Sequence, residues 1–216
     1  MRESPTRPWR GVSAEERNAD RRARLIDAAV EVIGTEGWAR ATVRRVCEQA
    51  ELTVRYFYEN FEDADSLLVA VFEHVIAEGT TAVLDAFANS EASPKARARA
   101  AISAAFTLFT EDPRRGRILL TEGSGNTVLA ARRAKFITEA AGLLAHTMVD
   151  AVGAKNVDPA DLQMTTLAIV GAELQLATSY LAGDLNVSRE RVIDHVTELH
   201  MAVARVSSAE APAAPT

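Results

Sequence analysis

The residues best suited to chemistry lie between positions 42 and 61, in the segment TVRRVCEQAELTVRYFYENF. It holds Arg44, Arg55, Tyr56 and Tyr58 within a short stretch of chain. An arginine guanidinium donates paired hydrogen bonds to phosphate or to a guanine edge, and a tyrosine offers a hydroxyl and a flat apolar face. These side chains are therefore suited to contacting the backbone and base edges of a DNA duplex.

A helix, a tight turn and a second helix are predicted to position these groups. Thr42 can cap a helix that runs to about residue 49, and Thr53 can cap the next helix, over about 53 to 60. On a helical wheel, Phe57 and Phe61 of the later helix share one side and are expected to face the core. The residues that point outward or lie at the border are Val54, Arg55, Tyr56 and Tyr58. Such a helix-turn-helix pair is what reading a major groove requires.

The chain before this segment is predicted to add one helix and a basic arm. Ser13 and Glu16 have the spacing of a capping box, which starts a helix over about 14 to 36. Residues 1 to 24 hold seven arginines against four acids. The arm at 1–12, which includes Arg10, is expected to be flexible and to follow a DNA backbone or enter a minor groove.

The overall composition limits the class of protein. The chain has 216 residues, 48% of them hydrophobic, and a net charge of −6, so a basic surface must be small and confined to the front of the chain. A single cysteine, Cys47, cannot form an internal disulfide, and neither a secretion signal nor a membrane span is indicated, so a cytoplasmic location is expected. The histidines lack zinc-motif spacing and no phosphate-binding loop occurs. We therefore predict no catalytic residues, no metal and no cofactor, and a protein that is not an enzyme.

Periodicity predicts an all-α fold of about nine helices: an N-terminal three-helix helix-turn-helix domain over 13–62, and a larger helical domain over 63–206. Residues 207–216, rich in Ala, Ser and Pro, are expected to form a disordered tail. The predicted helices cover about 14–36, 42–49, 53–60, 64–88, 94–110, 114–121, 127–153, 159–182 and 188–206.

A set of positions between about residues 14 and 70 resembles the N-terminal motif of the tetracycline-repressor-like (TetR) family of bacterial transcriptional regulators. The run RYFYENF followed by acidic residues and LL resembles an actinobacterial variant of that motif. Two positions depart from it, since Glu51 stands where a turn glycine is common and Ala64 where a phosphate-gripping lysine is common. The matching residues are Leu25 to Ile33, Gly37, Thr42, Val43, Val46, Ala50, Leu52, Thr53, Phe57, Tyr58, Phe61 and Leu67.

The resemblance implies a homodimeric regulator, most simply a repressor released by a small-molecule effector, that binds an inverted-repeat DNA operator. It implies that Thr42, Thr53 and Tyr58 contact the DNA backbone or groove wall, and that Arg44, Val54, Arg55 and Tyr56 read or adjoin bases. It also implies a ligand-binding and dimerisation domain in which the last two helices pair with those of a second copy. Candidate ligand-binding residues are Phe72, Phe106, Phe109, Phe136, His146, Met164, Gln175 and Thr178.

Two alternatives remain open from the sequence. Helix-turn-helix pairs also occur in all-α proteins that never meet DNA, so a dimeric protein-interaction module without DNA binding is the competing interpretation. The two apolar stripes expected to form the dimer interface, Ala168 to Ala172 and Ile193 to Val203, could instead belong to the core of a single chain.

Overall fold

The computed structural model describes residues 13–122, 125–152 and 158–209, and those residues form nine α-helices and one short 3-10 turn at Trp38–Arg40. The all-α prediction is confirmed. The predicted arm at 1–12, with Arg10, and residues 210–216 of the predicted tail lie outside the described residues, whereas residues 207–209, also predicted as tail, continue the last helix. The helices are α1 (Ala14–Glu36), α2 (Val43–Ala50), α3 (Val54–Tyr58), α4 (Ala64–Ala88), α5 (Pro94–Glu111), α6 (Pro113–Leu120), α7 (Thr127–Val152), α8 (Pro159–Leu181) and α9 (Arg189–Ala209).

Local capping explains where several of these helices begin. At α1 the Ser13 hydroxyl accepts from the Glu16 amide at 3.0 Å, and the Glu16 carboxylate accepts from the Ser13 amide at 2.6 Å, which completes the predicted capping box. At α4 the Asp63 carboxylate accepts from the Ser66 amide at 2.7 Å. Helices α5, α6 and α8 each begin with a proline after a capping Ser or Asp, because proline lacks an amide that would need a partner there.

The first three helices pack around a small core that α4 closes. Leu25 and Ile33 of α1, Val46 of α2 and Phe57 of α3 are all fully buried. Phe57 also packs against Phe61, with ring centroids 5.5 Å apart. The first turns of α4 add Leu67, Leu68 and Val71 to the same cluster. The helix-turn-helix is therefore attached to the rest of the molecule through a continuous apolar core.

The remaining helices form a larger bundle, in which α4 packs on α5, α5 on α9 and α7 on α8. Aromatic pairs join these layers, since Phe72 meets Phe136 edge-on at 6.2 Å and Phe106 meets Tyr180 at 5.9 Å. Helix α4 is long and apolar enough to cross a membrane by length and composition, with a mean hydropathy of 1.6. Its packing against α1, α5, α6 and α7 accounts for that composition in a core helix.

The two candidate dimer stripes have different environments. On α8, Ala168, Gly171 and Ala172 are exposed. On α9, Ile193 and Val196 are buried in the core of their own chain, so the alternative of intrachain packing applies to that half of the α9 stripe. An exposed strip of small residues therefore remains on α8 alone.

Candidate nucleic-acid interface and internal cavity

The turn between α2 and α3 keeps a left-handed geometry without glycine. Glu51 has φ 54° and ψ 41°, and among the described residues it is the one non-glycine with positive φ. The Leu52 amide donates to the Cys47 carbonyl at 2.9 Å, which closes the end of α2. The left-handed region costs a non-glycine residue about 1–2 kcal/mol. The turn therefore keeps the shape that a glycine would favour and carries the strain.

Arg44 and Arg55 are highly exposed on the helix-turn-helix, with 87% and 84% of their side chains accessible. Each donates from Nε to a glutamate one turn later: Arg44 to Glu48 at 2.9 Å and Arg55 to Glu59 at 3.0 Å. Exposed pairs at this spacing contribute only about 0.3–0.5 kcal/mol. Both guanidinium groups are therefore oriented by their neighbours, yet can transfer to a phosphate or a base at low cost.

Three consecutive aromatic residues, 56 to 58, differ in burial. Phe57 is buried as predicted, whereas Tyr56 points outward only in part. Tyr58 is 60% exposed and rests edge-on against buried Phe57, with centroids 5.3 Å apart. Tyr56 is half-buried, because the Arg21 guanidinium covers its ring at 4.6 Å. Val54 is exposed at the start of α3. Tyr58 and Val54 thus face solvent freely, whereas Tyr56 offers only part of its side chain.

The two threonines are both exposed, but only one of them caps a helix. The Thr42 hydroxyl accepts from the Arg45 amide at 3.2 Å, as predicted. The predicted side-chain cap by Thr53 is wrong, since no such hydrogen bond forms at α3. The Tyr56 amide, which a capping side chain would satisfy, donates instead to the Thr53 backbone carbonyl at 3.0 Å. We call six of the exposed side chains of α2, α3 and their caps the recognition surface: Thr42, Arg44, Thr53, Val54, Arg55 and Tyr58.

Part of the basic cluster at the front of the chain is engaged within the domain, which the sequence analysis missed. Arg24 donates to the Ala50 carbonyl at 2.7 Å, and Arg22 donates to the Asn60 carbonyl at 2.9 Å while covering the Phe61 ring at 4.3 Å. Cations at helix C-termini are favourable, and only the tertiary fold reveals that α1 passes these ends. The charge available to a duplex is therefore smaller than the arginine count indicates.

The larger bundle holds a cavity of about 440 Å³, open to solvent on one side, between α4, α5, α7, α8 and α9, with Leu119 of α6 at its wall. This volume lies within the range of about 300–1,000 Å³ that is typical of small-molecule sites. Phe106, Phe109 and Phe136 line it, as three of the predicted ligand-binding residues. Phe72 is fully buried behind Phe136 and does not reach the cavity.

The other four predicted ligand-binding residues are not part of the cavity wall. Met164 and Gln175 are exposed on α8, and His146 is exposed on α7. Thr178 donates its hydroxyl to the Leu174 carbonyl at 2.8 Å. Helical spacing alone does not predict which side of α7 and α8 faces the cavity, because both helices carry apolar or small residues on more than one side.

The polar residues in the cavity were not predicted. They are Thr80, Glu139, Thr147, Glu173 and His200. His200 of α9 is only 8% exposed, and its Nε2 lies 2.9 Å from Glu173 Oε1 of α8. The two groups are not aligned for a hydrogen bond, and neither ring nitrogen of His200 has a hydrogen-bond partner. No sequence signal pairs these residues, since they are distant in the chain and on different helices.

Helix α6 connects the cavity to the helix-turn-helix domain. Arg114 pairs with Glu31 of α1, and the Glu122 carboxylate after α6 accepts from the Trp38 amide at 2.8 Å. A β-carbon on Gly34 of α1 would overlap the Arg114 side chain, so the two helices approach very closely. The Arg114 guanidinium also donates to Asp112, and this hydrogen bond holds the pKa of that carboxyl below its ordinary value. Because Leu119 of the same helix lines the cavity, α6 contacts both parts.

Comparison with known proteins gives agreement in sequence at the N-terminus and in fold over most of the chain. Residues 25–71 match the family model described as bacterial regulatory proteins, tetR family. The HTH-type transcriptional regulator BetI of Paraburkholderia phytofirmans is 34% identical over 86 residues, which is 40% of this chain and 44% of that protein's length. The chain thus matches less than half of this curated relative.

Solved structures share the fold at low sequence identity. A putative TetR-family transcriptional regulator from Syntrophomonas wolfei has a TM-score of 0.72 at 15% identity, covering 87% of this chain and 96% of the other. The regulator FadR from Bacillus subtilis, in complex with stearoyl-CoA, has a TM-score of 0.66 at 17% identity, covering 87% and 97%. Residues 25–71, which hold the left-handed turn and the buried Phe57, therefore match the tetR family in sequence, and the chain as a whole shares the fold of these solved regulators.

Proposed function

We propose that this protein is a homodimeric, DNA-binding transcriptional regulator of the cytoplasm, a repressor that a small-molecule effector releases from its operator. The observation that carries the proposal is the exposure of Arg44 and Arg55 on α2 and α3, above a core that holds Phe57 rigidly. Positively charged, exposed side chains on a short helix-turn-helix have the reach and the hydrogen-bonding capacity to enter a major groove. Thr42, Thr53 and Tyr58 are then the backbone contacts, while Val54 and the accessible part of Tyr56 adjoin the bases.

The exposed strip on α8 supports the dimer. Ala168, Gly171 and Ala172 leave a smooth face on which a second helix can lie closely, with Met164 and Gln175 at its ends. In the proposed dimer, α8 and α9 pair with the same helices of a second copy as a four-helix bundle. A twofold dimer presents two recognition surfaces, so the operator is an inverted repeat.

The contacts of α4 and α6 support an effector response. Both helices form part of the cavity wall, and both pack against α1 of the helix-turn-helix domain. A ligand that fills the cavity and shifts α4 or α6 therefore moves the recognition surface, and a change in the separation of the two surfaces lowers operator affinity. The fold-related FadR from Bacillus subtilis, solved with stearoyl-CoA, supports a small organic molecule as the effector.

Selection of bound sequences from random DNA duplexes by the purified full-length protein tests this function. We expect recovery of an inverted repeat, with an affinity that falls steeply as salt rises because phosphate contacts release counterions. Recovery of no preferred sequence, together with salt-independent affinity, would reject the proposal in favour of a protein-interaction module.

A further inference from the structure

The cavity contains one polar pair whose hydrogen bonds are not made. His200 is more than nine-tenths buried, it lines the cavity, and neither of its ring nitrogens has a hydrogen-bond partner. The neighbouring Glu173 Oε1 is also buried without one. Burial of a polar group without a hydrogen-bond partner is unfavourable, so such a pair in a mostly apolar wall indicates a missing partner.

The surroundings of this pair determine which partner fits. Among the described residues that line the cavity, the ionisable ones are Glu139, Glu173 and His200. Glu139 is held by Arg132 at 3.1 Å and by Lys135 at 3.6 Å, so its charge is already neutralised. Within the part of the chain that the structure describes, the ion pair of the Glu173 carboxylate is with His200. The free hydrogen-bonding capacity on the acidic side therefore belongs to Glu173.

An anionic head group would be disfavoured at this position. His200 Nε2 lies 2.9 Å from the Glu173 carboxylate, so the pair offers no net positive charge that would attract an anion. A second carboxylate brought beside Glu173 would be repelled in a low-dielectric site. A cationic donor, by contrast, forms a charge-assisted hydrogen bond with Glu173 Oε1, which is among the stronger hydrogen bonds in proteins.

We propose that the cavity selects a cationic amphiphile, with an apolar body against the aromatic wall and a protonated amine that donates to Glu173. This inference rests on the proposed effector site and specifies the chemical class of its ligand. Phe87, Phe106, Phe109 and Phe136 supply the apolar contacts along the cavity. His200 lies beside the Glu173 carboxylate at the polar end.

Titration calorimetry of the full-length protein with three probes of equal chain length tests the proposal: decylammonium, decanol and decanoate, each below its micelle concentration. We expect decylammonium to bind about tenfold or more tightly than decanoate, a difference of about 1.4 kcal/mol, because only the ammonium group can donate a charge-assisted hydrogen bond to Glu173. In Glu173→Gln this preference should disappear. The matched control Glu190→Gln, which removes an exposed charge on α9, should keep it.

Three results would overturn the proposal: decanoate binding as tightly as decylammonium, no binding of any probe, or an equal loss for all three probes in Glu173→Gln. The ranking in the unmodified protein decides the question even where Glu173→Gln fails to fold, which thermal unfolding reveals. Calorimetry needs no DNA, whereas the operator selection needs no ligand. Failure of the ligand class therefore remains distinct from failure of the DNA-binding function.

Discussion

The charged side chains of the recognition surface are exposed to solvent, whereas the charged pair of the cavity is largely buried. On the recognition surface, Arg44 and Arg55 are exposed, and each pairs with a glutamate one turn along the same helix. In the cavity, Glu173 and His200 are brought together from two different helices and lack hydrogen bonds. Water screens the first kind of pair and makes it cheap to exchange, whereas burial makes the second kind costly to leave unsatisfied. The first arrangement suits the proposed exchange of partners with a charged surface, and the second suits the proposed binding of one ligand.

The largest expected effect concerns the core beneath the recognition surface. Phe57→Ala removes a fully buried ring from the contact between α1, α2 and α3, so we expect a loss of about 3–5 kcal/mol in unfolding free energy and loss of DNA binding. Tyr58→Ala is the matched control, because its ring is 60% exposed and its removal should change stability by at most about 0.5 kcal/mol. Denaturant unfolding and DNA titration measure both. Equal destabilisation by the two variants would contradict the division between buried and exposed rings.

The second prediction concerns the arginines as readers of DNA. Arg55→Ala should weaken operator binding by about 1–3 kcal/mol and relax sequence preference if the guanidinium reads a base. Arg99→Ala removes an exposed charge on α5 that is paired with Asp194 of α9, outside the helix-turn-helix, and should leave both quantities unchanged. Competition binding with the selected operator and its single-base variants distinguishes the cases. A uniform loss across all DNA sequences would make Arg55 a phosphate contact.

The third prediction concerns the strain in the turn. Glu51→Gly should stabilise the protein by about 1 kcal/mol, because glycine adopts the left-handed conformation without the penalty of a side chain. Gln49→Gly, two residues earlier within α2, should destabilise it by about 1 kcal/mol, since glycine there only loses helix propensity. Thermal unfolding measures both changes. Destabilisation by Glu51→Gly would mean that the Glu51 side chain makes contacts that outweigh the backbone strain.

The fourth prediction concerns the link between the two regions. Asp112 caps α6, and Arg114 lowers the pKa of its carboxyl. A lowered pKa contributes stability that is present above the unfolded value of about 3.9 and is lost as pH falls through the folded value. Asp112→Asn keeps a capping side chain and removes only the charge, so its deficit in unfolding free energy should shrink as pH falls from 6 toward 3. A deficit independent of pH would show that the charge contributes nothing.

The same two regions differ in how far the sequence predicts them. The helix-turn-helix followed from local signals: the Ser13–Glu16 capping box, the Thr42 cap and the spacing of Phe57 and Phe61 are all read within a few residues. Arg24 was missed there because its partner, the Ala50 carbonyl, is 26 positions away.

The cavity is formed by contacts between residues that are far apart in the sequence. Helical periodicity assigns a residue to a face but not to a neighbour, which is why Phe106, Phe109 and Phe136 line the cavity while Met164 and Gln175 are exposed on α8, outside its wall. The pairing of Glu173 with His200 requires the packing of α8 on α9, which no local pattern specifies.

The smallest expected effect tests whether the ion pairs of the recognition surface compete with DNA. Glu59 holds the Arg55 Nε at 3.0 Å and adds a negative charge where phosphates would approach. Glu59→Gln should therefore strengthen DNA binding by a few tenths of a kcal/mol, roughly the worth of the exposed pair that DNA otherwise has to break. Glu62→Gln removes an equal, exposed charge nearby and separates this local competition from general electrostatics. If Glu59→Gln instead weakens binding while Glu62→Gln does not, Glu59 does not compete with DNA. The Glu59–Arg55 pair then orients Arg55 for its contact with DNA.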